Sequence, residues 1–554
     1  MDGLKSFATN TVLCAFLFAP SAMAGAWGDI EPRNAVDLNP ASGVVEYVIV
    51  AKEHKVQMGK KTKAWMWTYN GSMPGPTLQG NVGDTMIVHF YNQLPEETTL
   101  HWHGMEVPAN MDGSNISQHA VPPGGYFRYE FKLLRASLFW YHPHIKTNEQ
   151  LERGLYGALI VRDPDEDERL GLPKQERILL LDDVLLDEDG QVAAPYPDDP
   201  LQKALTQVNG RHGNVLLVNG RTAQKSWVRR GEPQRLRLVN TSNSRFQRIS
   251  ITGHRMWRIG GDGGLLETPI EMPPVELVED PGTGELISDP DPAKGLLLTP
   301  GERADVIFTP VGDGPIHIEW HDIARGRHSA FYKPDGSIGL GHDHHDGKHP
   351  PQSLLQLRLI GRPLDHEYIP PPQLRTIEPQ IATSANTIDV RFGHTPPDEN
   401  GNVIFFAAMK DGMPLPFSGV SAGDAPIAMV GETRIIEVTN MTGGDHNFHL
   451  HGFMFQLIET EFFDMDEPQN NYVLPAPYLE DKDTIFIPRR PGSKGRSKTI
   501  SRLAVAIDDT GREGQAVAFG KTPGDDFSGG WIYHCHILEH ANRGMMSFLQ
   551  VIDP

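Results

Sequence analysis

Near the C-terminus a thiol, three imidazoles and a thioether fall within a dozen residues: His534, Cys535, His536, His540 and Met545. Trp531, Ile532 and Tyr533 just before them are strand formers. Successive side chains of a strand point to opposite faces, so His534 and His536 are expected on one face and Cys535 on the other. His540 and Met545 follow on an expected turn on the thiol's side. One more imidazole would complete a His₂Cys set with a weak axial Met, the donor set of a blue copper electron-transfer site. The two imidazoles across the strand give an electron at Cys535 a covalent route to whatever they bind, and a second copper centre would complete that circuit.

Three further His-x-His pairs occur, His101-Trp-His103, His142-Pro-His144 and His449-Leu-His451, making eight imidazoles in four pairs. An extended pair puts both rings on one face, and neutral imidazole suits copper, zinc, iron or nickel. Two pairs lie in the first third of the chain and two in the last. The terminal parts are therefore expected to meet, each giving half of one cluster. His446, three residues before His449, is then free to be the missing imidazole.

The elements that must position these groups read as strands. Short β-branched and aromatic runs alternate with Gly, Pro, Asn and Asp, and few segments keep a 3.6-residue period, which predicts an all-β chain of sandwich domains. Gly83-Asp-Thr-Met-Ile-Val-His-Phe-Tyr-Asn92, Gly231-Glu-Pro-Gln-Arg-Leu-Arg-Leu-Val-Asn240 and Gly431-Glu-Thr-Arg-Ile-Ile-Glu-Val-Thr-Asn440 share one pattern at domain-length spacing, which predicts three copies of one sandwich. A charged, Pro-marked linker at 163–168 and the stretch 361–366, with Pro370-Pro-Pro372 beyond it, mark the boundaries. The middle part holds no complete metal motif. It does carry an expected exposed loop at 279–292 and a His/Asp-rich tract, His342 to His349, which reads either as a solvated loop or as weak metal capture.

At 554 residues the chain is long enough for three or four domains. Lys5, the apolar run 11–20 and Ala22-Met-Ala24 have the form of a signal peptide, with cleavage expected after Ala24 or Ala26, and a periplasmic or secreted location follows. Cys14 leaves with that segment, so Cys535 is the one remaining thiol in a compartment where disulfides would form, and it is expected to serve chemistry. No other stretch is apolar for the roughly 20 residues a spanning helix needs. The net charge of −21 argues against nucleic acid and anionic membranes as partners.

On His101-Trp-His-Gly104, His142-Pro-His144, His446-Asn-Phe-His-Leu-His-Gly452 and His534-Cys-His-Ile-Leu-Glu-His540 followed by Gly544-Met545, nearly the whole chain resembles a three-domain multicopper oxidase of the laccase, ferroxidase and cuprous oxidase group. The resemblance implies three cupredoxin-like Greek-key domains, 27–166, 167–362 and 363–554. It implies four copper ions: type 1 on His446, Cys535, His540 and Met545, type 2 on His101 and His449, and a type 3 pair on His103, His142 and His536 and on His144, His451 and His534. One-electron oxidations at the type 1 ion would then feed the reduction of dioxygen to water. That reaction consumes protons, and Asp112 matches the family's relay position, although Asp112-Gly113 also reads as a turn.

Two positions depart from the family pattern. Asn447 stands where relatives usually have Pro, which is expected to alter loop stiffness, and Ala541 stands where several metal oxidases have Glu, which puts one proton route in doubt. Donors are expected at an exposed edge beside His446 and His540, with phenols or low-valent metal ions as candidates. Asp445, Glu459, Glu461, Asp464 and Asp466 read as a cation dock or as ordinary acidic surface. A copper-sequestering protein with little turnover is the alternative; an inactive structural relative and a two-domain nitrite reductase fit the ligand count poorly. A monomer is expected.

Overall fold

Each of the three Gly-acid-strand-Asn segments folds in the same manner. Gly83, Gly231 and Gly431 have φ of +91°, +76° and +87°, a backbone region that glycine enters without steric cost. The strands that follow, Thr85–Asn92, Gln234–Asn240 and Thr433–Asn440, each take a parallel neighbour. The terminal asparagines repeat one set of bonds. Asn92 donates to Glu96 O and Val121 O, Asn240 to Arg245 O and Leu298 O, and Asn440 to Gly444 O and Pro488 O. Each Oδ1 accepts a main-chain N–H two residues on, so the amide satisfies loop groups that no strand could reach.

The structure is a computed structural model describing residues 30–554 apart from 280–283, 285, 290, 326–330, 333–337, 340–349, 363–367, 492–496, 513 and 520–528. The N-terminal apolar run with Cys14, the His342 to His349 tract, and parts of the 279–292 loop and the 361–366 stretch lie outside the described residues.

The chain is all-β, as expected, in three sandwiches. The first is built from β1 (Val44–Gln57), β2 (Lys63–Tyr69), β3 (Gly75–Asn81), β4 (Thr85–Asn92), β5 (His101–His103), β6 (Tyr126–Lys132), β7 (Ser137–His142) and β8 (Gly157–Arg162). Its sheets run β2-β1-β4-β6 and β3-β8-β7-β5, and Ile49, Val88, Phe90, Trp102 and Phe139 fill the space between them. The second and third sandwiches each pair a six-stranded with a five-stranded sheet.

Register does the positioning. On β5 and β7, His101 lies opposite His142, and on Trp531–His534 and His446–Leu450, His534 lies opposite His449. An apolar cluster joins Leu138 and Trp140 of β7 to Ile178 and Leu180 of the second sandwich and to Leu538 of the third. Large side chains buried in this way contribute about 2–3 kcal/mol each, which holds the first and last sandwiches in contact.

Helices are few: α1 (Thr147–Glu152), α2 (Pro164–Leu170), α3 (Pro200–Asn209) and α4 (Leu538–Asn542). The stretch read as a linker at 163–168 is mostly α2. Asp163 accepts from Glu166 N, Pro164 opens the first turn and Gly171 closes the helix in the left-handed region, a full set of start and stop signals. The expected turn after Cys535 is in part α4, which carries His540. The strand itself ends at His534.

Candidate metal centres

All eight paired imidazoles meet where the first and last sandwiches touch, and every one is buried. Ring centroids of His103, His142 and His536 lie 4.9–5.7 Å apart. Those of His144, His451 and His534 lie 4.8–5.4 Å apart. His101 stacks on His451 at 4.0 Å and His103 on His449 at 3.8 Å, so the rings form one continuous cluster.

One nitrogen of most rings is fixed by the protein. Nδ1 of His101, His142, His449 and His534 donates to the carbonyls of Asp112, Pro143, Asp483 and Cys535 at 2.7–2.9 Å. Nδ1 of His451 donates to Asp112 Oδ2 at 2.9 Å. His103 is held at the other nitrogen, with Nε2 3.1 Å from both Asp483 Oδ1 and Thr484 Oγ1. Such bonds select the tautomer and the direction of the remaining lone pair.

Six of the remaining nitrogens are bare, while Nε2 of His451 and Nε2 of His534 lie 3.3 Å apart. His101 Nε2, His103 Nδ1, His142 Nε2, His449 Nε2 and both nitrogens of His536 are buried with no hydrogen-bond partner among the described residues. Buried polar atoms are rarely left so, and lone pairs converging on a common space fit bound metal. Burial holds His103, His142, His144, His451 and His536 well below the usual imidazole range, His449 below it, and His534 down to about 3. These rings are therefore neutral at pH 7, the form that ligates.

Cys535 points into the third sandwich. Its Sγ lies 3.6 Å from His446 Nδ1 and 3.6 Å from His540 Nδ1, and those nitrogens are 3.2 Å apart. The centre of that triangle is about 2 Å from each nitrogen, the length of a first-row metal bond to imidazole. Met545 is fully buried in the same apolar cluster as Cys535, and its carbonyl accepts Cys535 N. Burial pushes the thiol up to about 12 and His540 down to about 3. Met546 turns away into a separate cluster with Ala541 and Phe548.

The edge beside His446 and His540 is not exposed. Both rings are fully buried. His446 Nε2 lies 2.7 Å from Thr442 Oγ1, and His540 Nε2 donates to Val208 O at 3.0 Å. Val208 is in the last turn of α3, so this helix of the second sandwich covers the imidazole edge on which donors were expected, and Phe405 stacks on the ring of His540 at 4.5 Å.

Asp112 is buried between His101 and His451. Burial works to raise its pKa, but His101, Ser114 and His144 outweigh it, and the carboxyl lies below its ordinary value. Ala541 sits in an apolar pocket with Ile116 and Ile532. The acids flanking the third motif are engaged locally: Arg502 binds Glu459 and Glu461 at 2.7 and 2.9 Å, Asp445 accepts from Arg489 N, and Asp464 accepts from Asp466 N.

Residues not singled out in the sequence complete the cluster. Asp483 accepts from His103 and from both amino groups of Arg303, a residue of the second sandwich. Arg303 and His103 outweigh the effect of burial and hold Asp483 well below the carboxylate range. A Cβ on Gly301 would come within 2.8 Å of His103 Cε1, at a φ of +90°. The middle part of the chain, which lacks a metal motif, thus supplies a wall of the site. Asn447 corrects a second expectation: it lies inside a strand and is fully hydrogen-bonded, so loop stiffness is not its role.

Family models described as multicopper oxidase match residues 50–166, 182–277 and 424–553. A laccase of Bacillus subtilis is 26% identical over 539 residues, covering 88% of this chain and 90% of its own length. A multicopper oxidase of Mycobacterium tuberculosis is 24% identical, covering 97% of this chain and 93% of its own. Among solved structures, a Campylobacter jejuni multicopper oxidase titled a metallo-oxidase superposes with a TM-score of 0.68 at 23% identity, covering 95% of this chain and 94% of its own.

Proposed function

The chain belongs to the multicopper oxidase family, and on that premise we propose that its twelve donors hold four copper ions in the arrangement the motifs imply. His446, Cys535, His540 and Met545 take the type 1 ion, His101 and His449 the type 2 ion, and His103, His142, His536, His144, His451 and His534 the type 3 pair. The observation that carries this reading is the triangle of Cys535 Sγ with two imidazole nitrogens, one residue away on each side from rings of the eight-histidine cluster. When bound, copper supplies stepwise one-electron chemistry at the sulfur-bearing site and a four-electron store that takes dioxygen to water.

The protein's own groups set the route and the geometry. His534 Nδ1 donates to Cys535 O at 2.9 Å, a hydrogen-bonded path beside the covalent one between the two sites. Asp112 steadies His101 and His451 and is the proposed proton relay. Ala541 offers no carboxylate, so protons from that side need another carrier. The cover of α3 over His540 favours donors that act through Val208 O or are small enough to settle beside the helix, and low-valent metal ions fit this better than bulky phenols.

We further propose three cupredoxin-like domains, 27–166, 167–362 and 363–554, as copies of one unit, a monomer, and a periplasmic or secreted location after removal of residues 1–26. No helix among the described residues is long and apolar enough to cross a membrane.

The test is the visible spectrum and dioxygen uptake of copper-loaded protein with copper(I), iron(II), manganese(II) and a substituted phenol. An intense thiolate-to-copper band with donor-dependent uptake is expected. Full loading without uptake from any donor would instead favour copper sequestration.

A further inference from the structure

The tip of the β1–β2 hairpin is basic on an acidic chain. Residues 52–63 read Lys-Glu-His-Lys-Val-Gln-Met-Gly-Lys-Lys-Thr-Lys, five lysines against Glu53 alone, in a protein whose net charge is −21. The hairpin is pinned from within. Val56, Met58, Ala64 and Met66 of its inner face are buried in the apolar cluster that holds Trp140 and Leu538, and Thr222 N of the second sandwich donates to Met58 O at 2.7 Å. Gly59 permits this approach, since a Cβ there would meet Thr222 Oγ1. Arg221, exposed and next to Thr222, adds a further cation beside the same tip.

The outer face lacks the acids that would neutralise it. Elsewhere Lys146, Lys410 and Lys482 pair with Glu96, Asp424 and Asp262. Lys55, Lys60, Lys61 and Lys63 have no acid partner among the described residues, and Glu53 is engaged by Trp67, whose Nε1 donates to its Oε1 at 3.2 Å. Beside these lysines stands Trp65, opposite Lys55 in the register and 60% exposed. Lys55 Nζ lies 5.9 Å from the centre of its ring. Gln191 Oε1 accepts Trp65 N at 3.1 Å, which fixes the strand that presents the indole.

We propose that this hairpin binds an acidic polysaccharide, with Lys55, Lys60, Lys61, Lys63 and Arg221 taking its carboxylates or sulfates and Trp65 stacking on a sugar ring. Ammonium groups are point charges that accept such anions without a fixed geometry, and the C–H bonds of a sugar face suit the negative face of an indole. The extent of the basic patch selects a narrow, flexible polymer. Charges are screened beyond about 8 Å at physiological salt, so a single strand lying along the tip feels the lysines alone, whereas a vesicle or a duplex is broad enough to meet the acidic surface around them. One indole offers a place for one ring, where single-stranded nucleic acid uses successive aromatics. The polymer would tether the enzyme by a face that belongs to neither metal centre.

Fluorescence anisotropy of labelled alginate, a polyuronate, titrated with the copper-loaded full chain tests this, beside neutral dextran, oligo(dT) and phosphatidylglycerol vesicles. Alginate is expected to bind, less tightly as salt rises, and dextran is not. Lys60→Glu with Lys61→Glu should weaken binding by about tenfold or more, and Trp65→Ala should weaken it severalfold. Lys174→Glu with Lys294→Glu, an equal change of net charge at surface lysines elsewhere, should leave it close to wild type. Absence of alginate binding, equal binding of dextran, or equal weakening by the two double variants overturns the proposal. Tighter binding of oligo(dT) or of the vesicles than of alginate overturns it in favour of nucleic acid or membrane. A measurement on wild type alone guards against misfolded variants: alginate should slow acetylation of Lys60 and Lys61 by an amine reagent, and unchanged rates place the polymer elsewhere and overturn the site.

Discussion

Arg303 and Asp483 face each other under the histidine cluster, each about 1% exposed, with Nη1 2.7 Å from Oδ1 and Nη2 on the second oxygen. The guanidinium comes from the second sandwich and the carboxylate from the third, and the carboxylate in turn holds His103 of the first. Removing one partner of a buried pair strands the other charge, a loss of about 3–5 kcal/mol. Arg303→Met should therefore lower the melting temperature of the copper-free protein sharply, with Arg303→Lys intermediate. Equal melting of all three proteins would show that the pair does not brace the domains.

Cys535→Ser keeps the size of a small buried side chain but removes the thiolate. The visible band and turnover should fall to background, while copper analysis still finds the ions held by the eight paired imidazoles. Melting of the copper-free variant close to wild type would separate this chemical loss from a folding defect.

Gly301→Ala tests the wall of the cluster. The added carbon would lie 2.8 Å from His103 Cε1 and 3.3 Å from His536 Cδ2, at a φ of +90°, where a Cβ costs roughly 1–2 kcal/mol. His103 must give way, so copper content should drop along with stability. A fully loaded variant with normal turnover would show that the ring tolerates displacement.

The cover over His540 predicts donor selectivity. Replacing α3 by a short flexible loop should raise kcat/KM for a bulky phenol about tenfold, equivalent to about 1.4 kcal/mol, while metal-ion rates change less. Rates with both donor classes moving together would mean that α3 does not screen the donor.

Glu152 gives a pH signature away from the metal ligands. Burial is the main cause that raises its pKa to about 7 from an ordinary 4.5, and Asp183 and Glu539 add to it against Arg211. Because the folded value is the higher one, the folded state keeps a proton that the unfolded chain has lost between these values. Its contribution is intact below about 4.5, and stability falls as pH rises from there toward 7, by about 1.4 kcal/mol per unit within that window. Glu152→Gln should lessen the fall of the denaturation midpoint of copper-free protein over that range, with Asp182, Asp262 and Glu539, also raised by burial, supplying the rest, and an unchanged slope would refute the assignment.

The site was legible where chemistry fixes local spacing. Two rings on one face of a strand require His-x-His, and a thiolate facing away from them requires Cys535 between His534 and His536, so those residues announce themselves without any fold. The terminal asparagines of the three matching segments were readable as a repeat, and each accepts a main-chain N–H two residues on, whereas their donations to Val121, Leu298 and Pro488 were not.

What stayed hidden depends on distant partners. Arg303 meets Asp483 across 180 residues and Val208 meets His540 across 332, and neither carries a local pattern, because a buried arginine or a main-chain carbonyl looks ordinary in sequence. α2 was missed differently. Asp163 and Pro164 are good helix-start signals, yet the same acids and proline also compose a linker, and only packing decides between them.

The cluster is divided between β5 and β7 near one end of the chain and strands near the other. A polypeptide stalled on the ribosome or clipped by a protease before Trp531 would keep six of the eight paired rings yet lack His534 and His536, one from each three-ring group, together with Cys535, His540 and Met545. Only the finished chain can therefore offer the thiolate site and both three-imidazole sets in closed form.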